Sequence, residues 1–188
     1  MPIKEILHLI DNSTGGSLRK TKDALSKLNT SLSRKIFGLF STRNLEGIIS
    51  KHIPNDFEIL FVHSSMDSIQ KYHSGSVFDI LEMLNRIVGE KRTLAMPSFF
   101  FGGQDGDMFG WFQKNPLFDV RRTPSQMGIL TEIFRRQSVV VRSLHPTHSV
   151  CAKGVLADEL VANHNLADTT FGKGTPYDFM ASRKTLIL

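Results

Sequence analysis

The stretch that decides the fold is Phe57-Glu-Ile-Leu-Phe-Val62, a mostly apolar run that predicts a strand buried on both faces. A helical repeat of apolar residues follows from Val77 to Val88 and ends at Gly89, a residue that commonly closes helices. The run Arg92-Thr-Leu-Ala-Met96 predicts a second strand, stopped by Pro97. Strand, helix and strand at this spacing indicate a right-handed βαβ unit in a parallel sheet.

Further elements follow along the chain. Thr123 and Pro124 predict a helix start, with Thr123 as the N-cap and Pro124 at the first helical position. Apolar runs predict a short strand at 139–141, a helix near 155–161 and a strand beginning at Thr185. We therefore expect an α/β fold with three layers, in which a largely parallel central sheet is flanked by helices.

The chain divides into two parts at Pro54. Apolar residues at helical spacing, broken at 12–17, predict an α-helical N-terminal extension over residues 1–52. Residues 53–188 form the predicted α/β domain. Because a buried strand without neighbours leaves backbone groups unpaired, the strand at 185–188 predicts a domain that is incomplete at its C-terminal end.

Composition limits the class of protein. The chain has 188 residues, of which 40% are hydrophobic, enough for one globular domain with a core. No apolar run approaches the roughly 20 residues that cross a bilayer, and the N-terminus lacks the layout of a signal peptide. A single cysteine, Cys151, excludes an internal disulfide framework. A cytoplasmic location is the default expectation, and no metal site is predicted.

The net charge of +5 is concentrated in basic residues between Arg19 and Lys35. A basic surface can bind nucleic acid, an anionic membrane or a phosphorylated cofactor, and a solvated helical face is the alternative. No nucleic-acid-binding motif accompanies the charge, so we expect no nucleic-acid partner. A non-catalytic basic binding module stays open as an alternative function.

Two segments suit an anionic ligand. Ser64 and Ser65 follow the first strand, where hydroxyls and backbone amides form a natural phosphate or pantetheine site, although a polar turn is the alternative. The segment from Phe118 to Gly128 brings two arginines and two hydroxyls to the predicted helix start, although an ordinary helix cap is the alternative.

A third segment, Arg142-Ser-Leu-His-Pro-Thr-His-Ser149, follows the short strand. His145 precedes a proline in this loop, where a rigid imidazole could contact a ligand; a structural histidine is the alternative.

In their order and spacing these segments resemble the aminoglycoside 3-N-acetyltransferase family. The resemblance covers about residues 54–188 as a set of short motifs. They are HSS at 63–65, TLAMPSF at 93–99, FD at 118–119, TPSQMG at 123–128, RSLHP at 142–146, GKGTP at 172–176 and LIL at 186–188.

The resemblance implies acetyl transfer from acetyl-CoA to a small-molecule amine, which in aminoglycosides is the 3-amino group, an activity that confers antibiotic resistance. It implies a coenzyme A site lined by Ser64, Ser65, Thr123, Ser125 and Met127, and a substrate site that includes Asp119 and His145. The family's catalytic histidine belongs to a segment beyond Leu188. No catalytic residue is therefore assigned, and we expect residues 1–188 by themselves to be inactive or nearly so.

The acceptor stays open at this point. Aminoglycosides are polycations, so their site should offer several carboxylates, yet the central loop supplies few besides Asp119. The alternative is an amino-sugar N-acetyltransferase of surface-polysaccharide synthesis. A homo-oligomer also stays open.

Overall fold

The computed structural model describes residues 28, 30–32, 34–36, 38–103 and 107–188. The described residues before 37 are helical. The later elements, in chain order, are α1 (Thr42–His52), β1 (Ile59–Phe61), α2 (Met66–Ile69), α3 (Val77–Val88), β2 (Thr93–Pro97), α4 (Met108–Lys114), α5 (Ile129–Arg135), β3 (Val141–Arg142), β4 (Val150–Gly154), α6 (Ala157–Val161), α7 (Pro176–Ala181) and β5 (Thr185–Ile187).

The five strands form one sheet in the order β3-β4-β2-β1-β5. The predicted βαβ unit is confirmed, because β1 pairs in parallel with β2 and α3 connects them. β5 also pairs in parallel with β1. β4, which the sequence did not predict, runs antiparallel to both β2 and β3. The loop from Ser143 to Ser149 is too short for a parallel crossover of a dozen or more residues, so the α/β sheet is mixed.

The core lies on both faces of this sheet, as a three-layer fold requires. Leu60 and Leu94 face one side, where they pack with residues of α3 and α5. Ile59 and Ala95 face the other side, where they pack with Leu160 of α6 and with α7. Neighbouring residues of each central strand thus enter opposite clusters, which places helices on both faces. The α/β fold with a central sheet between helices is confirmed.

The helix predicted at Thr123–Pro124 is wrong, because the helix begins at Ile129. Gly128 at its N-cap has φ 95°, outside the helical region. Upstream, side chains take the backbone N–H groups: Asp119 accepts from Arg121 and Arg122. Residues 118–128 are therefore a loop, named the 118–128 loop below.

α1 packs on the domain although it lies before the predicted boundary at 52/53. Leu45 and Ile49 contact the core cluster, and Glu46 pairs with Arg86 of α3 at 2.8 Å. Residues 1–27, about half of the predicted helical extension, fall outside the described residues. The extension over 1–52 and the boundary at 52/53 stay predictions.

Candidate functional site

Several loops emerge at one edge of the sheet, named the loop edge. The carboxyl ends of β1 and β2 lie there, followed by residues 62–65 and 98–103. Because β4 runs antiparallel to β2 with Pro97 opposite Val150, the 143–149 loop emerges at the same edge. Parallel strands place their carboxyl ends together, which is where open α/β sheets bind ligands.

The loop after β1, residues 62–65, has two accessible hydroxyls and is named the serine loop. The Ser65 side chain is exposed and does not cap α2; its Oγ donates to Ser68 Oγ at 3.1 Å. Ser64 is half-buried. At the strand end, His63 N donates to Leu188 O at 2.8 Å and holds the loop on β5. Both predicted cofactor-binding serines are thus open to a ligand at the loop edge.

A half-buried arginine, Arg142, fixes the 118–128 loop to the sheet. Arg142 donates to Val120 O at 3.2 Å, Thr123 O at 2.6 Å, Ser98 O at 2.8 Å and Ser149 Oγ at 2.8 Å. Burial lowers the pKa of Arg142 to about 10, so the side chain stays cationic at neutral pH. All four acceptors are neutral, and no carboxylate of the described residues pairs with this guanidinium. A positive charge therefore lies next to the Thr123 carbonyl, within hydrogen-bond distance of it.

Glu132 of α5 secures the same loop from its other end. Its carboxylate accepts hydrogen bonds from Ser125 N at 2.8 Å, from Arg135 at 2.6 Å and from Arg136 at 2.7 Å. Arg135 also donates to Arg121 O at 2.7 Å. Burial alone would raise the pKa of Glu132, but these hydrogen bonds outweigh it and lower the pKa. The carboxylate is ionised at neutral pH and fixes the loop through Ser125.

Gln126 joins the 118–128 loop to the segment after β2. Its backbone N donates to Phe99 O at 2.8 Å, its side-chain oxygen accepts from Phe101 N at 2.6 Å, and its amide donates to Gly102 O at 2.9 Å. The loop that carries Thr123, Ser125 and Met127 is therefore held at the loop edge.

The three predicted cofactor-binding residues of this loop differ in exposure. Thr123 is buried and donates its N–H to Asp119 O at 2.8 Å. Ser125 and Met127 are half-buried, and Met127 N donates to Ser125 Oγ at 3.2 Å. The structure brings both predicted cofactor segments to one edge, although the second is a loop instead of a helix terminus.

Asp119, predicted to bind substrate, organises a turn. Its Oδ1 accepts hydrogen bonds from Arg122 N at 3.0 Å and Arg121 N at 2.8 Å. These backbone hydrogen bonds lower the pKa of Asp119. Its other oxygen lies 3.8 Å from the Arg122 guanidinium, and half of the side chain is exposed. The carboxylate therefore stays ionised, with one of its oxygens already occupied by the two backbone N–H groups.

His145, the second predicted substrate residue, is a neutral hydrogen-bond acceptor. Its Nδ1 accepts from His148 N at 3.0 Å and Thr147 N at 3.3 Å, so its proton resides on Nε2. The ring stacks on the buried His164 with centroids 4.5 Å apart. Burial, reinforced by His164 and His148, lowers the pKa of His145 to about 4. Only the Nε2–H is left to contact a ligand.

An aromatic cluster beside His145 was not predicted from the sequence. The His148 ring lies 4.8 Å from Phe99, 5.6 Å from Phe101 and 5.2 Å from Phe171. Tyr177 donates its hydroxyl to His148 O at 3.1 Å, and burial raises its pKa. Phe101 and Phe171 remain exposed. The spacing of Phe99 and Phe101, two residues apart, could have indicated that they share a face of the chain. Their contact with His148 could not be predicted from this spacing, because it joins segments that are distant in the sequence.

The described residues show neither a metal-binding cluster nor a membrane-spanning helix. They contain no group of three or more His, Cys, Asp and Glu side chains able to hold a metal ion. None of their helices combines the length and apolar character needed to span a membrane.

Comparison with known proteins agrees with this architecture. The family model described as aminoglycoside 3-N-acetyltransferase matches residues 61–188. The SPbeta prophage-derived aminoglycoside N(3')-acetyltransferase-like protein YokD of Bacillus subtilis (strain 168) is 28% identical over 142 residues, which cover 69% of this chain and 52% of that protein. The chain thus spans about half the length of this relative.

Solved structures show the same fold. Aminoglycoside acetyltransferase AAC(3)-Xa is similar with a TM-score of 0.68 and 24% identity, over 86% of this chain and 61% of that one. AAC-IIIb, solved as a binary complex with CoASH, has a TM-score of 0.63 and 20% identity, over 80% of this chain and 59% of that one.

Proposed function

The chain belongs to the aminoglycoside 3-N-acetyltransferase family, and from that premise we propose that it transfers the acetyl group of acetyl-CoA to an amino group of an aminoglycoside or a related amino sugar. The observation that carries the proposal is that the serine loop and the 118–128 loop both lie at the loop edge of the sheet. The serine loop offers the hydroxyls of Ser64 and Ser65 there, and the 118–128 loop offers the half-buried Ser125 hydroxyl and the exposed Arg121 and Arg122 side chains.

The donor side suits an anionic cofactor. Arg142 is a half-buried cation whose hydrogen bonds all go to neutral oxygens, so an opposite charge close to it would be favourable. Arg121 and Arg122 add exposed positive charge on the same loop. Coenzyme A carries phosphate groups, which would supply the missing negative charge near Thr123 and Ser125. The solved complex of AAC-IIIb with CoASH supports this choice of cofactor.

The neutral amine forms an amide C–N bond as the thioester C–S bond breaks, and the proton lost from the nitrogen is balanced by the proton taken up by the released thiolate of coenzyme A. Acetyl-CoA supplies an activated acyl group when bound. The acceptor amine must be neutral to attack, so a base must take its proton. His145 is neutral, but its Nδ1 lone pair already accepts two backbone hydrogen bonds. We therefore give His145 a binding role and assign no residue as the base.

A second candidate acceptor is a sugar with few amino groups, as in surface-polysaccharide synthesis. The observation that favours it is the aromatic surface of Phe101 and Phe171 beside His148, because apolar rings suit a sugar of low charge. Asp119 is already engaged with the Arg121 and Arg122 backbone. A polycationic aminoglycoside would require more free carboxylates.

Calorimetric titration with coenzyme A tests the donor half of the proposal. We expect saturable binding, and Ser65→Ala should weaken it by about twofold to tenfold, the equivalent of one neutral hydrogen bond. Ser182→Ala is the matched control, because Ser182 precedes β5 at the opposite sheet edge and its hydroxyl donates to Phe179 O. A folded chain that shows no binding heat would refute the donor site.

Titrations with amines test the acceptor half. Tighter binding of an aminoglycoside than of glucosamine in the presence of coenzyme A would support the resistance-type acceptor. The reverse order would support the amino-sugar alternative. Failure of every amine to bind, together with binding of coenzyme A, would contradict the acceptor assignment alone.

A further inference from the structure

A segment before α1 is fastened to the chain that follows α2. We name it the N-terminal strap and define it as Arg34 together with residues 38–42. The described helix that carries Arg34 ends at Gly38, which has φ 72° and donates its N–H to Arg34 O at 2.9 Å. The left-handed conformation of this glycine turns the chain toward residues 70–75.

Phe40 pairs with this region as an isolated parallel bridge to His73. Phe40 N donates to Tyr72 O at 2.9 Å, and Ser74 N donates back to Phe40 O at 3.0 Å. The Ser74 hydroxyl adds a third hydrogen bond, to Phe40 O at 3.2 Å. The Phe40 and His73 rings lie 5.2 Å apart.

His73 makes the contact specific. Only 5% of it is exposed, and its Nδ1 accepts from Gly75 N at 3.2 Å, which leaves the Nε2–H to donate to Thr42 Oγ1 at 2.9 Å. Residue 75 must be glycine here, because a Cβ would lie 2.6 Å from the His73 ring and 2.8 Å from Thr42 Oγ1. The strap and the 70–75 segment therefore fit closely.

Arg34 binds the end of α2. Its guanidinium donates to Gln70 O at 3.1 Å and to Lys71 O. These carbonyls lie just after the last residue of α2, where a positive charge is favourable because the helix leaves its final carbonyls unpaired.

Hydrogen bonds continue from this contact to the serine loop. Ser65 O accepts from Ser68 N and Ile69 N, both at 3.0 Å, and Ile69 O accepts from Tyr72 N and His73 N, both at 3.0 Å. α2 has only four residues and would not be stable in isolation. Its N-terminal end is anchored by the buried Met66, and its C-terminal end is held by the strap.

We infer that the N-terminal strap positions the serine loop, with Arg34 as the positioning residue that holds α2 behind Ser64 and Ser65. Its consequence for coenzyme A rests on the proposed function. The strap thus acts on the donor site through α2, which it contacts, and its own contacts in the structure are with residues 70–75.

The test compares Arg34→Ala, Arg34→Lys and the matched control Lys35→Ala in the 188-residue chain. Lys35 is the exposed neighbour of Arg34, and its replacement removes the same charge. We expect Arg34→Ala to accelerate amide hydrogen exchange over residues 65–72 and to weaken binding of coenzyme A, each by about threefold to tenfold. Arg34→Lys should restore part of both effects, Lys35→Ala should produce neither, and the urea midpoint should change little.

Each outcome decides the inference. Unchanged exchange over residues 65–72 in Arg34→Ala overturns it. Faster exchange with unchanged affinity for coenzyme A also overturns it, because the serine loop would then be independent of α2. If the unsubstituted chain binds no coenzyme A, the proposed function fails, while the exchange data still decide whether the strap holds the loop. If Arg34→Ala does not unfold cooperatively, Ser74→Ala, which removes one bond to Phe40, provides the same comparison.

Discussion

Replacement of Glu132 by glutamine should lower the free energy of unfolding by about 3–5 kcal/mol, because it removes the countercharge of a buried arginine. The Arg135 side chain is only 2% exposed and the Glu132 side chain 16%. A glutamine keeps one acceptor oxygen and directs an amide donor at the guanidinium. Arg136 is 69% exposed, so the loss of its bond contributes no more than about 1 kcal/mol. Most of the effect thus comes from Arg135.

Urea unfolding followed by circular dichroism and by fluorescence of Trp111, the single tryptophan, measures this free energy. Glu159→Gln is the control, because Glu159 is 64% exposed and lies 3.5 Å from its partner Arg183. The double variant Glu132→Gln/Arg135→Gln should lose less free energy of unfolding than the two single variants lose together. The difference should be at least about 1 kcal/mol, because the double variant leaves no unpaired buried charge. A Glu132→Gln loss within about 1 kcal/mol of the control, or strict additivity, would refute the reasoning.

Three other predictions follow from the same structure. The free energy of unfolding should fall as the pH is lowered from 6.5 toward 4, because His145 then binds a proton in the unfolded chain but not in the folded one. His145→Phe should reduce this fall by about 1 kcal/mol after allowance for solvent screening, as measured by urea unfolding at a series of pH values. Gly154→Ala should cost more than about 3 kcal/mol in thermal unfolding, since φ is 128° and a Cβ would lie 2.1 Å from Arg92 O. Gly89→Ala should cost less, about 1–3 kcal/mol, because its φ of 64° and ψ of −164° strain only the backbone and the space around it is open. A chain that begins at residue 53 should unfold cooperatively but at a lower urea concentration, because removal of α1 exposes the core face that Leu45 covers; an unchanged midpoint would show that α1 is dispensable.

The βαβ unit could be predicted because its signals are local. The apolar run before His63 and the helical repeat that ends at Gly89 need no knowledge of the rest of the chain. β4 offers no such signal, because Val150-Cys-Ala-Lys-Gly154 is short and has only one β-branched residue. Its extended conformation depends on pairing with β2 on one side and β3 on the other. The antiparallel strand, and with it the mixed sheet, could therefore not be predicted from the sequence pattern alone.

The helix start was misread for a related reason. Threonine followed by proline is a good local signal for a helix, but here competing hydrogen bonds come both from Asp119 in the same loop and from residues later in the chain. Arg142 takes the carbonyl of Thr123, and Glu132 takes the N–H of Ser125. Ser64 and Ser65 could be located at a strand end because they directly follow the buried strand, whereas the aromatic cluster around His148 depends on contacts between distant loops.

Both loops of the proposed donor site are held by an arginine that donates to backbone carbonyls. Arg142 fixes Val120 and Thr123, and Arg34 fixes the carbonyls after α2. A loop without regular secondary structure loses much conformational entropy when it binds a ligand, unless that entropy has already been lost on folding. Guanidinium groups suit this task, because several donors in one plane can hold consecutive peptides at once. Affinity for coenzyme A should therefore depend on these two arginines as well as on the hydroxyls that face the ligand.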